Sequence, residues 1–230
     1  MAIRIPENKA VGSATKKLPC VILVDTSGSM THDADKLASG MSELKDYLVN
    51  DEMASSSVEV SIVTFDNNAR VVEPFGPINE LNVPSFNCTG MTAMHAAVDV
   101  GLDAINKRRK EYREYGVTSY RPWMYMLTDG GANDADNGAF DKLRDRQENK
   151  KLIFFPVAIG SGVNKQLLAS LRPDHTIFSI DRESIVGAFQ WLSDSLSSVS
   201  TTGSGAVTLS DPEEYGIERE HIQIDVDDSD

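Results

Sequence analysis

The sequence predicts an α/β fold: a Rossmann-like, doubly wound sheet of about six strands, mostly parallel with one antiparallel edge strand, and helices on both faces. Three observations carry that prediction. Residues 20–25, 123–128 and 151–159 are apolar runs of strand length with little alternation, as expected of strands covered on both faces. Segments with apolar residues at three- and four-residue steps lie between them, as amphipathic helices require. Two of the runs close on a carboxylate, Asp25 and Asp129, at the strand ends where open parallel sheets place their ligands.

Taken in order, residues 1–19 are polar, with Ile3 and Ile5 fit for no more than a short edge strand. After the first core strand, Leu37, Met41, Leu44 and Leu48 mark a helix, which Asp51 and the serines at 55–57 are expected to end. Residues 58–65 alternate as a strand, and 69–74 form a second one after Asp66-Asn67-Asn68; so short a connection demands an antiparallel hairpin. Residues 78–90, just past Pro77 and containing Pro84, read as a loop. Met94, Ala97, Val98, Leu102 and Ile105 stripe a helix over 93–110, whose Lys107-Arg108-Arg109-Lys110 run suits the negative end of the helix dipole as a solvated helix end. Helices over 137–149, 165–171 and 184–199 then alternate with strands over 151–159 and 176–180, giving right-handed crossovers. The domain is expected at 18–200, between an extension (1–17) and a tail (201–230). Some alternation over 217–226 leaves an added strand open, while the charge there favours disorder or ordering by a partner.

The chain has 230 residues and a net charge of -13, of which the last thirty residues hold -8. Such a balance argues against nucleic acid and anionic membranes as partners. No stretch is apolar enough to insert in a bilayer, the N-terminus lacks the apolar run of a secretory leader, and Cys20 and Cys88 make no disulfide framework. A reduced, cytoplasmic protein is the expectation.

The chemistry concentrates in Asp25-Thr26-Ser27-Gly28-Ser29, on the loop after the first buried strand. A carboxylate and two hydroxyls on a glycine-bent loop, with no thiolate or imidazole among them, are hard oxygen donors suited to Mg²⁺ or Mn²⁺. Asp129 stands at the equivalent end of another core strand, and Thr92 lies on a loop just before a helix. Each hydroxyl taken alone is more readily a helix cap than a ligand; their convergence at strand ends favours a metal site.

These residues resemble a known family. Asp25-Thr-Ser27-Gly-Ser29 is similar to the DxSxS motif of von Willebrand factor type A domains, with Thr92 in Gly90-Met91-Thr92 and Asp129 in Leu127-Thr128-Asp129-Gly130 matching the family's separate threonine and aspartate. The resemblance covers about residues 18–200 and is nearer the bacterial TerY/YegL type, known from tellurium-resistance and stress gene clusters, through Phe65-Asp-Asn, Pro74-Phe-Gly-Pro and Tyr120-Arg-Pro-Trp123. Met91 departs from the small residue usual in the family, and Gly131-Ala132-Asn133 from the subgroup's Pro-Thr pair.

The resemblance implies a metal-ion-dependent adhesion site. Asp25, Ser27, Ser29, Thr92 and Asp129 would hold Mg²⁺, with Mn²⁺ or Ca²⁺ as substitutes, and a partner protein's Asp or Glu would complete the shell. Thr26, Met30, His32, Asn67, Thr89, Met91 and Gly131 would form the rim that selects the partner. The expected function is therefore metal-dependent protein–protein docking without catalysis. Two rivals stand beside it. One is a Mg²⁺-dependent phosphoryl-transfer or phosphate-hydrolysing enzyme, which the chain ill supports for want of a phosphate-binding glycine-lysine loop. The other is a metal-free scaffold acting through its acidic tail, which could bind a basic partner or drive self-association.

Overall fold

The computed structural model describes residues 15–202 and 209–223, the side chains of Thr201 and Thr202 excepted. Ile3 and Ile5, and the acidic residues from Asp225 onward, lie outside the described residues.

Among the described residues, seven strands form one sheet. They are β1 (Leu18–Asp25), β2 (Val58–Phe65), β3 (Ala69–Pro77), β4 (Trp123–Thr128), β5 (Ile153–Ile159), β6 (Thr176–Ile180) and β7 (Glu218–His221), in the order β3-β2-β1-β4-β5-β6-β7. The five inner strands run parallel, and both edges, β3 and β7, are antiparallel. The helices are α1 (Ala34–Asn50), α2 (Glu52–Ser57), α3 (Met94–Glu114), α4 (Ala139–Glu148), α5 (Lys165–Ser170) and α6 (Ile185–Thr202).

The sheet's period of two divides the core into two layers. Cys20, Ile22 and Val24 of β1 face α1 and α6, in a cluster with Leu37, Met41, Leu44, Trp191 and Leu196. Val21 and Leu23 face the other way, toward Met94, Val98, Leu102 and Ile105 of α3 and Leu143 of α4. That two-sided burial is why β1 shows no polar alternation.

The tight connection after Phe65 is an antiparallel hairpin with Phe65 opposite Ala69. Its second strand continues to Pro77, past the expected end, because register shifts around Ile62 bend a strand that has no outer neighbour among the described residues needing the prolines' missing N–H.

Three local expectations are revised. Asp51 does end α1, but its carboxylate also accepts from the backbone N–H of Met53 (2.9 Å) and Ala54 (3.0 Å) and so starts α2. Arg108 is not part of a solvated helix end: it is buried, with Nε 2.7 Å from Glu59 Oε2 at the foot of β2. The tail is ordered over 209–223 by the chain's own domain, with β7 as a seventh strand on β6.

That C-terminal strap runs along α6 before it enters the sheet. Ser210 accepts from Trp191 Nε1 at 2.9 Å, and the Tyr215 hydroxyl donates to Asp194. Ile217 is buried in the α6-side core, and Lys165 Nζ meets Glu220 Oε1 at 2.6 Å. The strap passes so close to α6 that a Cβ on Gly187 would stand 2.4 Å from the Tyr215 carbonyl.

Candidate functional site

The carboxyl ends of β1, β4 and β6 open at one end of the sheet, and the loops that follow them build a crevice there. Backbone hydrogen bonds stitch these loops together. Thr26 N–H reaches Phe65 O (2.8 Å), Thr89 N–H reaches Thr26 O (2.8 Å) and Gly28 N–H reaches Gly90 O (3.1 Å). Gly90 has φ +80°, and a Cβ there would stand 2.7 Å from the Asn67 side chain, so glycine is required. Asn67 Oδ1 in turn accepts from Met91 N–H at 3.0 Å.

Asp25 lies at the bottom, fully buried. Its Oδ1 accepts from Ser27 N–H (2.8 Å) and its Oδ2 from the Thr128 hydroxyl (2.6 Å). Burial raises its pKa above the ordinary carboxylate value, against the pull of the Thr128 and Ser27 bonds. The Ser27 and Ser29 hydroxyls are 3.0 Å apart, and Ser29 Oγ donates to Asp129 Oδ1 at 2.6 Å. Thr92 is buried beside Gly130, where a Cβ would come within 3.3 Å of its hydroxyl. Its backbone N–H donates to Asn133 Oδ1 at 3.1 Å.

The expected rim divides. His32, Asn67, Thr89 and Met91 are exposed, Met91 to 56 %, and Gly131 is half-buried. Thr26 and Met30 are buried instead, Thr26 donating its hydroxyl to Phe65 O at 3.1 Å and Met30 packed in the α1-side core. A residue adjacent to the motif in sequence thus does structural work when the loop turns it inward.

Two residues that sequence reasoning missed dominate the electrostatics. Arg182 follows β6 and spans the crevice: Nη2 is 2.5 Å from Asp129 Oδ2, and Nη1 donates to the buried carboxylate of Asp33. The Asp129 bond first, and the Asp33 bond with it, hold the guanidinium pKa above its ordinary value. The available signal was positional, because Arg182 lies two residues beyond the end of β6, the same address that singled out Asp25 and Asp129.

These contacts overturn the metal reading. Among the described residues, no group of three or more His, Cys, Asp or Glu could hold a metal ion. The five expected ligands offer only two carboxylates, and both are spent: Asp25 on Ser27 and Thr128, Asp129 on Ser29 and a guanidinium. The set as arranged does not fit Mg²⁺, Mn²⁺ or Ca²⁺, which require several oxygens converging on one point. With the ion goes the expected docking of a partner's Asp or Glu onto it, so metal-dependent adhesion is not the function supported here.

Beside the crevice, Asp134 closes the N-terminus of α3. Its carboxylate accepts from the backbone N–H of Ala96 (2.8 Å) and His95 (3.1 Å), while His95 Nδ1 lies 3.1 Å from Oδ1. The His95 ring stacks on Phe140 at 3.8 Å. Among the described residues no helix is long and apolar enough to cross a membrane.

Comparison with known proteins agrees with this architecture. The pilus adhesin SpaC from Lactobacillus rhamnosus GG, in its open conformation, superposes with a TM-score of 0.62 at 12% identity, over 80% of this chain and 30% of that one. A von Willebrand factor type A protein from Catenulispora acidiphila gives 0.59 at 16% identity, over 79% and 43%. Proximal thread matrix protein 1 from the mussel byssus gives 0.55 at 13% identity, over 78% and 48%. The chain spans less than half the length of each, and identities this low speak to the fold alone. No curated protein matches the sequence. Residues 20–190, however, match the von Willebrand factor type A domain, and the chain belongs to that family.

Proposed function

We propose that this protein is a metal-free, non-catalytic interaction scaffold whose docked C-terminal strap presents an acidic face to a basic protein partner. The observation that carries the reading is the strap's outward charge. Glu213, Glu214 and Glu218 are exposed and have no ion-pair partner among the described residues, while the backbone beneath them is anchored through Trp191, Asp194 and Lys165. Carboxylates on a fixed backbone meet a cationic surface at lower entropic cost than carboxylates on a loose chain. Two further placements belong to the same proposal. Membership of the TerY/YegL type is supported by the sequence segments around Phe65, Pro74 and Tyr120. A reducing, cytoplasmic setting is supported by Cys20 and Cys88, which are buried and free.

The test uses a lysine-rich peptide as probe. A triple variant, Glu213→Gln, Glu214→Gln and Glu218→Gln, is compared with a control that neutralises Asp35, Asp46 and Glu148, exposed acids elsewhere. At up to about 1 kcal/mol per exposed pair, the strap variant should bind on the order of tenfold more weakly, with the control and a chelator both without effect. Equal weakening by the control, or loss of binding in chelator, would refute the proposal.

A further inference from the structure

The crevice brings Asp33 and Asp129, both buried, to opposite sides of one guanidinium. Two carboxylates so placed repel, and burial makes the repulsion costly unless a cation stands between them. Arg182 meets that need with two separate N–H groups of one planar fork, each directed to its own carboxylate.

Its position is built by its neighbours. Asp181 Oδ1 accepts from Ser184 N–H at 2.8 Å and fixes the turn Arg182–Ser184. Lys36 Nζ reaches the Arg182 carbonyl (3.1 Å) and Glu183 Oε1 (2.8 Å), tying the same turn to α1. Gly160, at φ +73°, lies alongside the arginine's side chain. The guanidinium thereby joins the end of β6, the end of β4 and the turn Gly28–Asp33 before α1, while Lys36, 3.9 Å from Asp33 and 2.8 Å from Glu183, links the first and last of these from outside.

We infer that Arg182 is the resident cation of this crevice, standing in place of a metal ion and making the domain indifferent to divalent cations. This goes beyond the acidic-strap reading and does not depend on it, since the two concern different surfaces.

The experiment is thermal unfolding of the full chain in Mg²⁺ and in chelator, for the wild type and for Arg182→Gln. The wild-type Tm should be the same in both conditions. Arg182→Gln should lose several degrees in chelator, with Asp129 left only the Ser29 hydroxyl and Asp33 only the more distant Lys36, and recover part of that loss in Mg²⁺. A wild-type Tm that rises with Mg²⁺ would overturn the inference, as would a variant that Mg²⁺ does not rescue. If Arg182→Gln fails to fold, Arg182→Lys keeps the charge but not the fork: it should unfold below the wild type in chelator and gain from Mg²⁺, and a wild-type-like Tm in both conditions would count against the role of the fork.

Discussion

Glu59 is the most consequential single side chain outside the crevice. It is buried at the foot of β2, where it accepts from Arg108 Nε (2.7 Å) and the Tyr112 hydroxyl (2.5 Å), with Lys17 Nζ 3.9 Å away. Burial drives the Tyr112 pKa up, and the neighbouring Glu59 charge adds to it. Glu59→Ala would leave Arg108 buried with only Glu111 beside it, at a cost of about 3–5 kcal/mol. The double change Glu59→Met with Arg108→Leu should cost less than the single one, because no charge is then stranded. Urea midpoints of the two variants check the order. Asp134 provides the pH-dependent case. Burial pushes its pKa up, but the N–H groups of Ala96 and His95 outweigh that and hold it below the ordinary value. A lowered carboxylate contributes stability that is present above the unfolded-state pKa of about 3.9 and is lost as pH falls through the lower, folded value. Asp134→Ala should therefore cost about 0.5–2 kcal/mol at neutral pH, as other helix caps do. Its Tm deficit against the wild type should close on acidification below the normal carboxylate range.

At the scale of elements, the strap-to-α6 contact decides whether the C-terminal segment is part of the fold. Gly187 permits it, since any Cβ there would collide with the Tyr215 carbonyl, a backbone atom that can yield only if the strap moves. Gly187→Ala should detach residues 209–221 while β1, β4 and β5 keep their order. Hydrogen exchange would then show protection lost at β6–β7 amides and retained in the inner strands. The same element shows the limit of pattern reading. Residues 217–226 carry alternation and charge together, and local composition favours a loose chain. Burial of Ile217, the Trp191–Ser210 bond and the Lys165–Glu220 pair come from segments distant in sequence, and they outweigh that local preference. In α2 one residue does two jobs, because Asp51, expected only to end α1, also caps the start of the next helix.

For the whole molecule, the net charge of -13 resolves into three populations with different work. At the strand-end crevice Asp33 and Asp129 are buried against Arg182, and Asp25 is buried on hydrogen bonds from Ser27 and Thr128. Glu59 and Asp134 brace α3 at its two ends, one through Arg108 and the other through backbone N–H groups. The exposed strap acids Glu213, Glu214 and Glu218 have no such partner among the described residues and remain free to act on other molecules. The layered α/β architecture, the hairpin after Phe65 and the site's address were all legible in the chain, because each rests on local periodicity or on a short connection whose geometry admits one answer.

What the sequence determined by itself was therefore the sheet, its covering helices and the gathering of Asp25, Ser27, Ser29, Thr92 and Asp129 at one end of it. What only the tertiary structure decided was the charge state of that end. Arg182 is separated from Asp129 by 53 residues and from Asp33 by 149, and no periodicity or spacing links them. An oxygen-rich motif specifies donors but not which cation answers them, and the crossover that brings β6 beside β5 delivers a guanidinium into the crevice.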